Sequence, residues 1–300
     1  MSRLGNLILL HIIVLIFGFT AILGEEISLG AFPLVWFRTL LASAALILFV
    51  GITRRSMSVK PLELLKYGGV GVLIAGHWIS FFMAIKVSNI SITLACLASA
   101  SLFVALFEPL VTSKKLNLLE ILLGLVVIAG LVLIFSFEFK YKAGILLGLL
   151  SAFLAAVFAT FNSILVKGND AVKIGLYELI AGFVGISAFL FFNGELNPEI
   201  LHISSRDFWL LLILATVATA FAFVGSVLVM KELSPFTVAL TINLEPVYGI
   251  ILALIFYGED EKMTPGFYLG AIIILGTIFI NAWVKRRERK KKVPVVTILQ

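Results

Sequence analysis

Ten apolar stretches, each about 20 residues long and separated by short polar connections, account for most of the chain. A helix of about 20 apolar residues spans the hydrocarbon core of a bilayer. The composition agrees, because 61% of the 300 residues are hydrophobic and only 13% are charged, whereas a soluble domain is about half apolar and a quarter charged. The sequence therefore predicts an all-α membrane protein of ten transmembrane helices. The predicted spans are residues 4–24, 31–51, 67–86, 90–112, 118–137, 143–166, 173–193, 208–230, 235–257 and 265–284.

The second half of the chain repeats features of the first half at an offset of about 140 to 146 residues. Each half has five spans, an odd number, so the second half enters the membrane from the opposite side. We therefore predict two inverted five-helix repeats, residues 1–137 and 138–284, followed by a basic tail at 285–300. Such repeats place a transporter's substrate site near the midplane at the repeat interface. The matched residues are Thr20 and Thr160, Arg38 and Glu178, Lys86 and Lys231, Gly124 and Gly270, and Gly130 and Gly276.

The basic residues of the connections predict the orientation. With a cytoplasmic N-terminus, 17 of the 23 Lys and Arg residues fall on the inner side and 5 on the outer side, while Arg38 lies within a span. Positive charge gathers on the cytoplasmic side of membrane proteins. Both termini of this multi-pass protein are therefore predicted to be cytoplasmic, with the protein in the cell membrane. The run KRRERKKK at 285–292 directly follows the last span, which favours contact with anionic lipid head groups over contact with nucleic acid.

An acidic residue beside a proline interrupts the ninth predicted span near its middle. A carboxylate at this depth is costly in lipid, so Glu245 is expected to face protein or water. Two roles remain open for it: a cavity carboxylate that binds a substrate amine or takes up a proton, or a structural group that braces the break at Pro246. His77 lies at a similar depth in the third span. It is either a substrate or proton-relay group, or a structural histidine beside Trp78.

Further polar residues complete the candidate substrate or coupling site. Tyr248 lies three residues after Glu245 and can share its side of the helix, whereas Asn243 points in a different direction. Small polar residues on the other spans either line a cavity or form hydrogen bonds between helices. The candidates among them are Thr20, Ser99 and Asn162.

Three charged residues on the predicted spans are candidates for gating or structural roles. Arg38 and Glu178 are equivalent in the repeat, but their depths differ by roughly 12 Å, so each is expected to have its own partner or to snorkel toward the membrane surface. Glu108 lies near the inner end of the fourth span, close to Lys114 and Lys115, and we interpret it as interfacial. Gating and structural roles remain open for all three.

Several kinds of site are absent from the sequence. It contains no phosphate-binding loop, no nucleophile triad and no cluster of metal ligands, and its one cysteine, Cys96, lies inside an apolar run. We therefore predict neither a cofactor nor a bound metal, and no enzymatic activity. A membrane enzyme would need a cluster of catalytic groups at one level, and only His77 and Glu245 form such a pair.

One segment in each half is especially distinctive: GHWISFFMAIKVSNIS at 76–91, and SPFTVALTINLEPVYGIILALIFYGE at 234–259. Together with the five-plus-five arrangement, these strings resemble the drug/metabolite transporter superfamily, specifically its EamA-type members. The likeness covers residues 4–284 and includes the closing Gly258-Glu259. In the first half, Glu108-Pro109 and then two lysines stand where that Gly-Glu would be expected.

The resemblance implies both an architecture and an activity. In similar proteins, spans 1, 3, 4, 6, 8 and 9 surround a central cavity, and spans 5 and 10 lie outside it. These proteins export or import small metabolites, often amino acids and related compounds. We therefore expect a secondary transporter that works by alternating access, either coupled to protons through Glu245 or acting as an uncoupled facilitator or exchanger. A phosphorylated substrate is disfavoured, because Arg38 is the one Lys or Arg that lies inside a span rather than at its end.

Overall fold

The computed structural model describes residues 3–113, 115–242 and 244–291, and within these ranges the chain forms helices and no strands. A π-helix, Thr216–Phe221, joins α9 to α10, and short 3-10 turns lie at Phe139–Tyr141, Pro198–Leu201 and Gly258–Glu261. The α-helices are α1 Arg3–Glu26, α2 Ala31–Thr53, α3 Pro61–Val87, α4 Ile90–Leu97, α5 Ala100–Val111, α6 Leu118–Phe137, α7 Lys142–Leu165, α8 Ala171–Phe192, α9 Ser205–Ala215, α10 Ala222–Val229, α11 Pro235–Ile242, α12 Glu245–Tyr257 and α13 Pro265–Lys291.

Eight helical stretches in the described ranges are long and apolar enough to cross a membrane. They are α1, α2, α3, α4 with α5, α6, α7, α8, and α9 with α10. The ninth predicted span is divided into α11 and α12, and Asn243 between them lies outside the described residues. The tenth is covered by α13, whose residues Pro265–Thr277 form a shorter apolar helix.

Large apolar side chains cover the outside of the helix bundle. On α6, for example, the exposed fractions of Leu118, Leu122 and Leu125 are 70%, 50% and 54%. A soluble monomer rarely exposes large contiguous apolar patches, whereas lipid tails solvate such side chains. The outer surface is therefore that of a protein surrounded by lipid.

Two helices begin before the apolar spans predicted from the sequence, because their first turns are capped. α3 starts at Pro61 instead of residue 67, and α9 starts three residues earlier than predicted. At the start of α3, Glu63 accepts a hydrogen bond from the backbone N–H of Lys60 at 3.3 Å. At the start of α9, Ser204 Oγ accepts one from the backbone N–H of Asp207 at 3.0 Å. Such caps and an N-terminal proline extend a helix beyond its apolar part.

The contacts between helices repeat when the two halves of the chain are exchanged. In this exchange α3 corresponds to α9 with α10, and α7 corresponds to α1. The contact of α3 with α7 therefore corresponds to the contact of α9 and α10 with α1, and both contacts are present. The exchange also turns the contact of α4 and α5 with α7 into that of α11 and α12 with α1. The pairs α2–α8 and α6–α13 map onto themselves. In the second pair, a Cβ on Gly130 would lie 2.9 Å from the Gly270 carbonyl oxygen, and one on Gly270 would lie 2.7 Å from that of Gly130.

Hydrogen bonds between the two halves close one end of the bundle, here called the Glu26 end. Glu26 accepts a hydrogen bond from the Tyr257 hydroxyl at 2.9 Å and pairs with Arg206. Ser28 donates its backbone N–H and its hydroxyl to the Asp207 carboxylate at 3.0 and 2.6 Å. Each of these contacts joins a residue of the first half to one of the second.

The opposite end of the bundle, here called the Lys231 end, carries basic residues. α2 runs from the Glu26 end to this end, a length of about 34 Å at 1.5 Å per residue. Here Arg55 pairs with Asp170 at 3.0 Å, and Lys173 donates to the Ser58 carbonyl oxygen at 2.7 Å. Helix α1 begins and α13 ends at this end.

We expect Gly71→Ala to destabilise the protein. A Cβ on Gly71 would lie 2.2 Å from the carbonyl oxygen of Glu178, a backbone atom that moves only if α8 moves. Such overpacking costs about 1–3 kcal/mol, which a thermal unfolding curve in detergent detects as a lower melting temperature. The control is Gly68→Ala in the same helix, where a Cβ meets nothing within 4 Å, because both changes carry the same gain in helix propensity. Equal melting temperatures for the two variants would contradict this packing.

Candidate functional site

A cavity of about 100 Å³ lies between the two halves of the chain. A single water needs about 10–15 Å³, so the cavity has room for several waters or one small solute. Its polar lining consists of Thr20, Arg38, His77, Ser226 and Glu245. Aromatic side chains form much of the remaining wall, namely Phe17, Trp78, Phe81, Phe158 and Phe223.

Arg38 is held at the cavity by contacts with both halves. Its side chain is only 1% exposed. Nε donates to Thr219 Oγ1 at 2.7 Å, and Nη2 reaches the carbonyl oxygen of Ala218 at 3.5 Å. The guanidinium carbon lies 4.0 Å from the centre of the Trp78 ring, which is a cation–π geometry. Nη1 is buried without a hydrogen-bond partner among the residues described, so these N–H donors remain available.

The π-helix between α9 and α10 places the hydroxyl that Arg38 contacts. Thr219 Oγ1 donates to the carbonyl oxygen of Leu214, five residues earlier, at 2.7 Å. The same oxygen accepts the bond from Arg38, so this buried hydroxyl both donates and accepts. Short π-helical turns inside α-helices are frequent at functional sites, and here the turn brings a threonine to the arginine.

Glu245 is the first residue of α12, immediately after the break in the ninth predicted span. It lines the cavity and is 4% exposed. The free N–H groups and the dipole at a helix N-terminus favour a negative charge there, and Arg38 and Glu245 interact electrostatically. The fourth predicted span is likewise broken, between Leu97 and Ala100, both of which line the cavity. Interrupted helices at corresponding positions of two repeats commonly form substrate sites in transporters.

His77 lines the same cavity, but one of its ring nitrogens is already engaged. Nδ1 lies 2.9 Å from the carbonyl oxygen of Ser151 and 2.8 Å from its hydroxyl oxygen. The Ser151 hydroxyl donates to the His77 carbonyl oxygen at 3.1 Å. These partners favour the tautomer with hydrogen on Nδ1, an assignment made from the hydrogen-bond network. This side of the imidazole therefore has a structural role, and Nε2 remains for another partner.

The other candidates predicted from the sequence occupy different places. Thr20 and Trp78 line the cavity, whereas Tyr248, Ser99 and Asn162 do not. Ser99 donates its hydroxyl to a carbonyl oxygen one turn earlier at 2.7 Å. Asn243 lies outside the described residues.

Arg38 and Glu178 have separate partners, as their different depths predicted. Arg38 contacts Thr219, whereas Glu178 accepts a hydrogen bond from Asn162 Nδ2 at 3.1 Å. Glu178 is 0% exposed and lies outside the cavity lining. The repeat therefore relates these two charges in sequence without bringing them together.

A second, wider cavity of about 530 Å³ opens at the Lys231 end. Glu108, Lys167 and Lys231 are among its lining residues, and Met230 lines both cavities. Glu108 is only 5% exposed and lines this opening at the end of the bundle, and its interpretation as an interfacial residue beside Lys114 and Lys115 stays a prediction. Lys114 itself lies outside the described residues.

Sequence reasoning missed the aromatic wall and the partner of His77. Phe17, Phe158 and Phe223 stand in continuous apolar runs, where the same residue types face lipid, core and cavity. Ser151 is one of many small polar residues in the spans, and only packing shows that it contacts the imidazole. No signal in the sequence indicates this wall, because Phe17, Phe158 and Phe223 lie on the first, sixth and eighth predicted spans, none of which carries a charged candidate.

The comparisons with known proteins agree with a transporter fold. The chain matches the EamA-like transporter family over residues 4–136 and again over residues 142–283. A solved structure described as "Crystal structure of protein" is similar, with a TM-score of 0.71 and 17% sequence identity. The match covers 95% of this chain and 99% of the other, and at this identity it shows the fold alone. No curated protein matches the chain.

We expect Thr219→Val to lower stability more than Thr216→Val. Each change removes a hydroxyl that bonds to a carbonyl oxygen of its own helix at 2.7 Å, but only Thr219 also accepts a bond from Arg38. Leaving a buried charged donor unpaired costs about 1–3 kcal/mol or more. Thermal unfolding of both variants in the same detergent measures the difference. Equal losses would contradict a role for Thr219 in holding Arg38.

Proposed function

The chain belongs to the EamA-like transporter family, and we propose that it is a secondary transporter that moves a small amphoteric metabolite, such as an amino acid or a related compound. Members of this family are multi-pass membrane proteins that transport solutes, and the eight membrane-spanning helices of the described chain agree with that. An enzymatic function has no comparable support.

The observation that carries this proposal is the pairing of opposite charges in one small cavity. Arg38 offers unpaired Nη1 donors that suit a carboxylate. Glu245 offers a carboxylate that suits an ammonium group, and both residues line the cavity. The aromatic wall, which includes Phe158 and Phe223, suits an apolar side chain. A phosphorylated or strongly anionic solute would need more cationic groups than the single arginine in this lining.

We infer that ten spans in two inverted repeats carry the transport. α11 with α12 supplies the ninth span and α13 the tenth, with repeats at 1–137 and 138–284. The two family matches and the exchange of helix contacts between the halves support this arrangement. The basic residues at the Lys231 end support a cytoplasmic location for that end and for both termini. The tail at 285–300 would then meet anionic lipid heads, and its residues 292–300 lie outside the described part of the chain.

The two cavities support alternating access. Met230 lines both the central cavity and the opening at the Lys231 end, so the two cavities adjoin at this side chain and its displacement would connect them. At the Glu26 end, the bonds from Tyr257 and Arg206 to Glu26 tie the two halves together. This conformation then has its substrate route toward the cytoplasm. Rocking of one half on the other would break the Glu26 contacts and open the opposite side.

We expect Glu245→Gln to reduce transport at least about tenfold while membrane insertion stays intact. The variant removes the charge for a substrate ammonium, a hydrogen bond worth about 1.5–3 kcal/mol, and about 1.4 kcal/mol corresponds to tenfold in affinity. The assay is uptake into proteoliposomes of a labelled mixture of zwitterionic amino acids, with and without an inward-acid pH gradient.

The control for this prediction is Glu199→Gln, which changes an exposed acid at the Glu26 end and should leave uptake unchanged. Full transport by Glu245→Gln would contradict the substrate role of Glu245. Wild-type uptake of anionic or neutral metabolites but of no zwitterion would contradict the amphoteric substrate. Uptake that only equilibrates, even with the pH gradient, would favour the uncoupled facilitator or exchanger.

We expect a covalent link across the Glu26 end to stop transport. Ser28 Oγ and Asp207 Oδ2 lie 2.6 Å apart across the two halves. In the double variant Ser28→Cys with Asp207→Cys, a short, reducible, thiol-reactive cross-linker can therefore join the two cysteines. Cross-linked proteoliposomes should lose uptake and recover it after reduction, whereas each single variant should be insensitive to the reagent because the native Cys96 is buried. Unchanged uptake after complete cross-linking would show that this end does not open.

A further inference from the structure

A second group of buried polar side chains lies between α3, α7 and α8. Glu178, Asn162 and Tyr67 are each 0% exposed, and none of them lines the central cavity. Asn162 Nδ2 donates to Glu178 Oε2 at 3.1 Å. α3 approaches closely here, since Gly71 lies against the carbonyl oxygen of Glu178. Tyr67, one turn before Gly71, stacks on Tyr177 with ring centres 6.1 Å apart. The group is therefore enclosed by three helices.

Three oxygen atoms of this group have no hydrogen-bond partner in the described structure. They are Glu178 Oε1, Asn162 Oδ1 and the Tyr67 hydroxyl oxygen. An ionised carboxylate and an amide oxygen are both acceptors only, so these two atoms cannot satisfy each other. Buried polar groups in native proteins are nearly always paired. A hydrogen atom is therefore missing between Glu178 Oε1 and Asn162 Oδ1, whereas the Tyr67 hydroxyl has its own hydrogen but forms no hydrogen bond with either atom.

A nearby positive charge is also absent. Within residues 3–113, 115–242 and 244–291, no Lys, Arg or His forms an ion pair with Glu178. Its repeat equivalent, Arg38, is engaged by Thr219 and Trp78. An ionised Glu178 would thus be an uncompensated charge at a fully buried position, where an isolated carboxylate becomes neutral by binding a proton.

We propose that Glu178 binds a proton in this conformation and is the site where proton binding is coupled to transport. The proton resides on Oε1, which becomes an O–H donor to Asn162 Oδ1. The Asn162 amide continues to donate to Oε2, so the acid and the amide can pair through two hydrogen bonds. The coupling role rests on the transport function proposed above, whereas the protonation of Glu178 does not.

The surroundings of Glu178 contain few titratable groups. From α3, Tyr67 faces it, and Glu63 acts on Tyr67 electrostatically. Tyr177, its neighbour on α8, donates its hydroxyl to the Met57 carbonyl oxygen at 2.7 Å. The remaining helices packed on α7 and α8 contribute uncharged groups near the glycines that flank Glu178, namely Val224, Phe223, Ala75 and Thr39. None of these groups would therefore balance the negative charge of an ionised Glu178.

The wider cavity provides a route for the proton. Ser163, the residue after Asn162, lines the opening at the Lys231 end together with Lys167. The turn of α7 that contacts Glu178 through Asn162 therefore also reaches this opening through Ser163. The substrate and the proton would therefore enter from the same opening, past Met230 and past Ser163 respectively.

Infrared difference spectroscopy of the purified protein tests the bound proton without any substrate. A protonated carboxylic acid has a carbonyl stretching band that an ionised carboxylate lacks. At neutral pH, the spectrum of wild type minus Glu178→Gln should contain this acid band. Wild type minus Glu195→Gln, which removes an exposed acid, should contain carboxylate bands instead. Carboxylate bands in the Glu178 difference would overturn the proposal. The Gln variant can still pair with Asn162, and a thermal unfolding curve verifies its fold.

Transport measurements test the coupling role. With the labelled zwitterionic amino-acid mixture, Glu178→Gln should keep exchange of labelled for unlabelled substrate but lose accumulation driven by an inward-acid gradient by at least about tenfold. A pH-sensitive dye inside the vesicles should report proton entry with substrate in wild type only. Gradient-driven accumulation by the variant, or accumulation driven by sodium instead of protons, would overturn the coupling role.

The two experiments separate this inference from the proposed function. If the acid band of Glu178 is present but the protein moves no zwitterion, the bound proton is supported, and both the transport proposal and the coupling role are rejected. If the protein transports zwitterions but the acid band is absent, the transport proposal is supported and the proton at Glu178 is rejected.

Discussion

A guanidinium group inside a bundle surrounded by lipid must obtain its hydrogen bonds from the protein, and Arg38 imposes this requirement on its neighbours. Burial of a charge is costly unless it is paired and hydrogen bonded. The local helix geometry meets the requirement: the π-helix brings Thr219 to Nε, and Trp78 on α3 covers the guanidinium plane. The break before α12 sets Glu245 at a helix N-terminus on the same cavity. Three departures from regular α-helix or apolar packing thus meet at one buried charge.

Much of the fold could be predicted from the sequence because each membrane-spanning helix is an apolar run of defined length. The helix ends differed where polar caps extend them, as at Pro61, because hydropathy does not register backbone capping. The break between α4 and α5 was also missed, since Ser99 stands in an apolar run without a proline at that point. The interruption at Glu245, which has an acid and a proline, was evident from the sequence.

The candidate site was predicted in part, and depth was the useful criterion. Glu245, His77, Trp78, Thr20 and Arg38 all line the cavity, because charge or polarity at the midplane is expensive unless a cavity or a partner is present. Which way a helix faces could not be derived, since the spans have similar apolar residues on every side. For this reason the role of Ser151 as the anchor of His77, and the burial of Glu108, required the packed structure.

The contact between Gly130 and Gly270 has a mechanical consequence. Each glycine faces the carbonyl oxygen of the other, while Ile274 packs on Gly130 and Ile134 packs on Gly270. Both isoleucines are only 1% exposed, so their side chains fill the space beside the glycine pair. The glycines therefore let α6 and α13 come close together at this seam, and the isoleucines limit how far one helix can turn against the other.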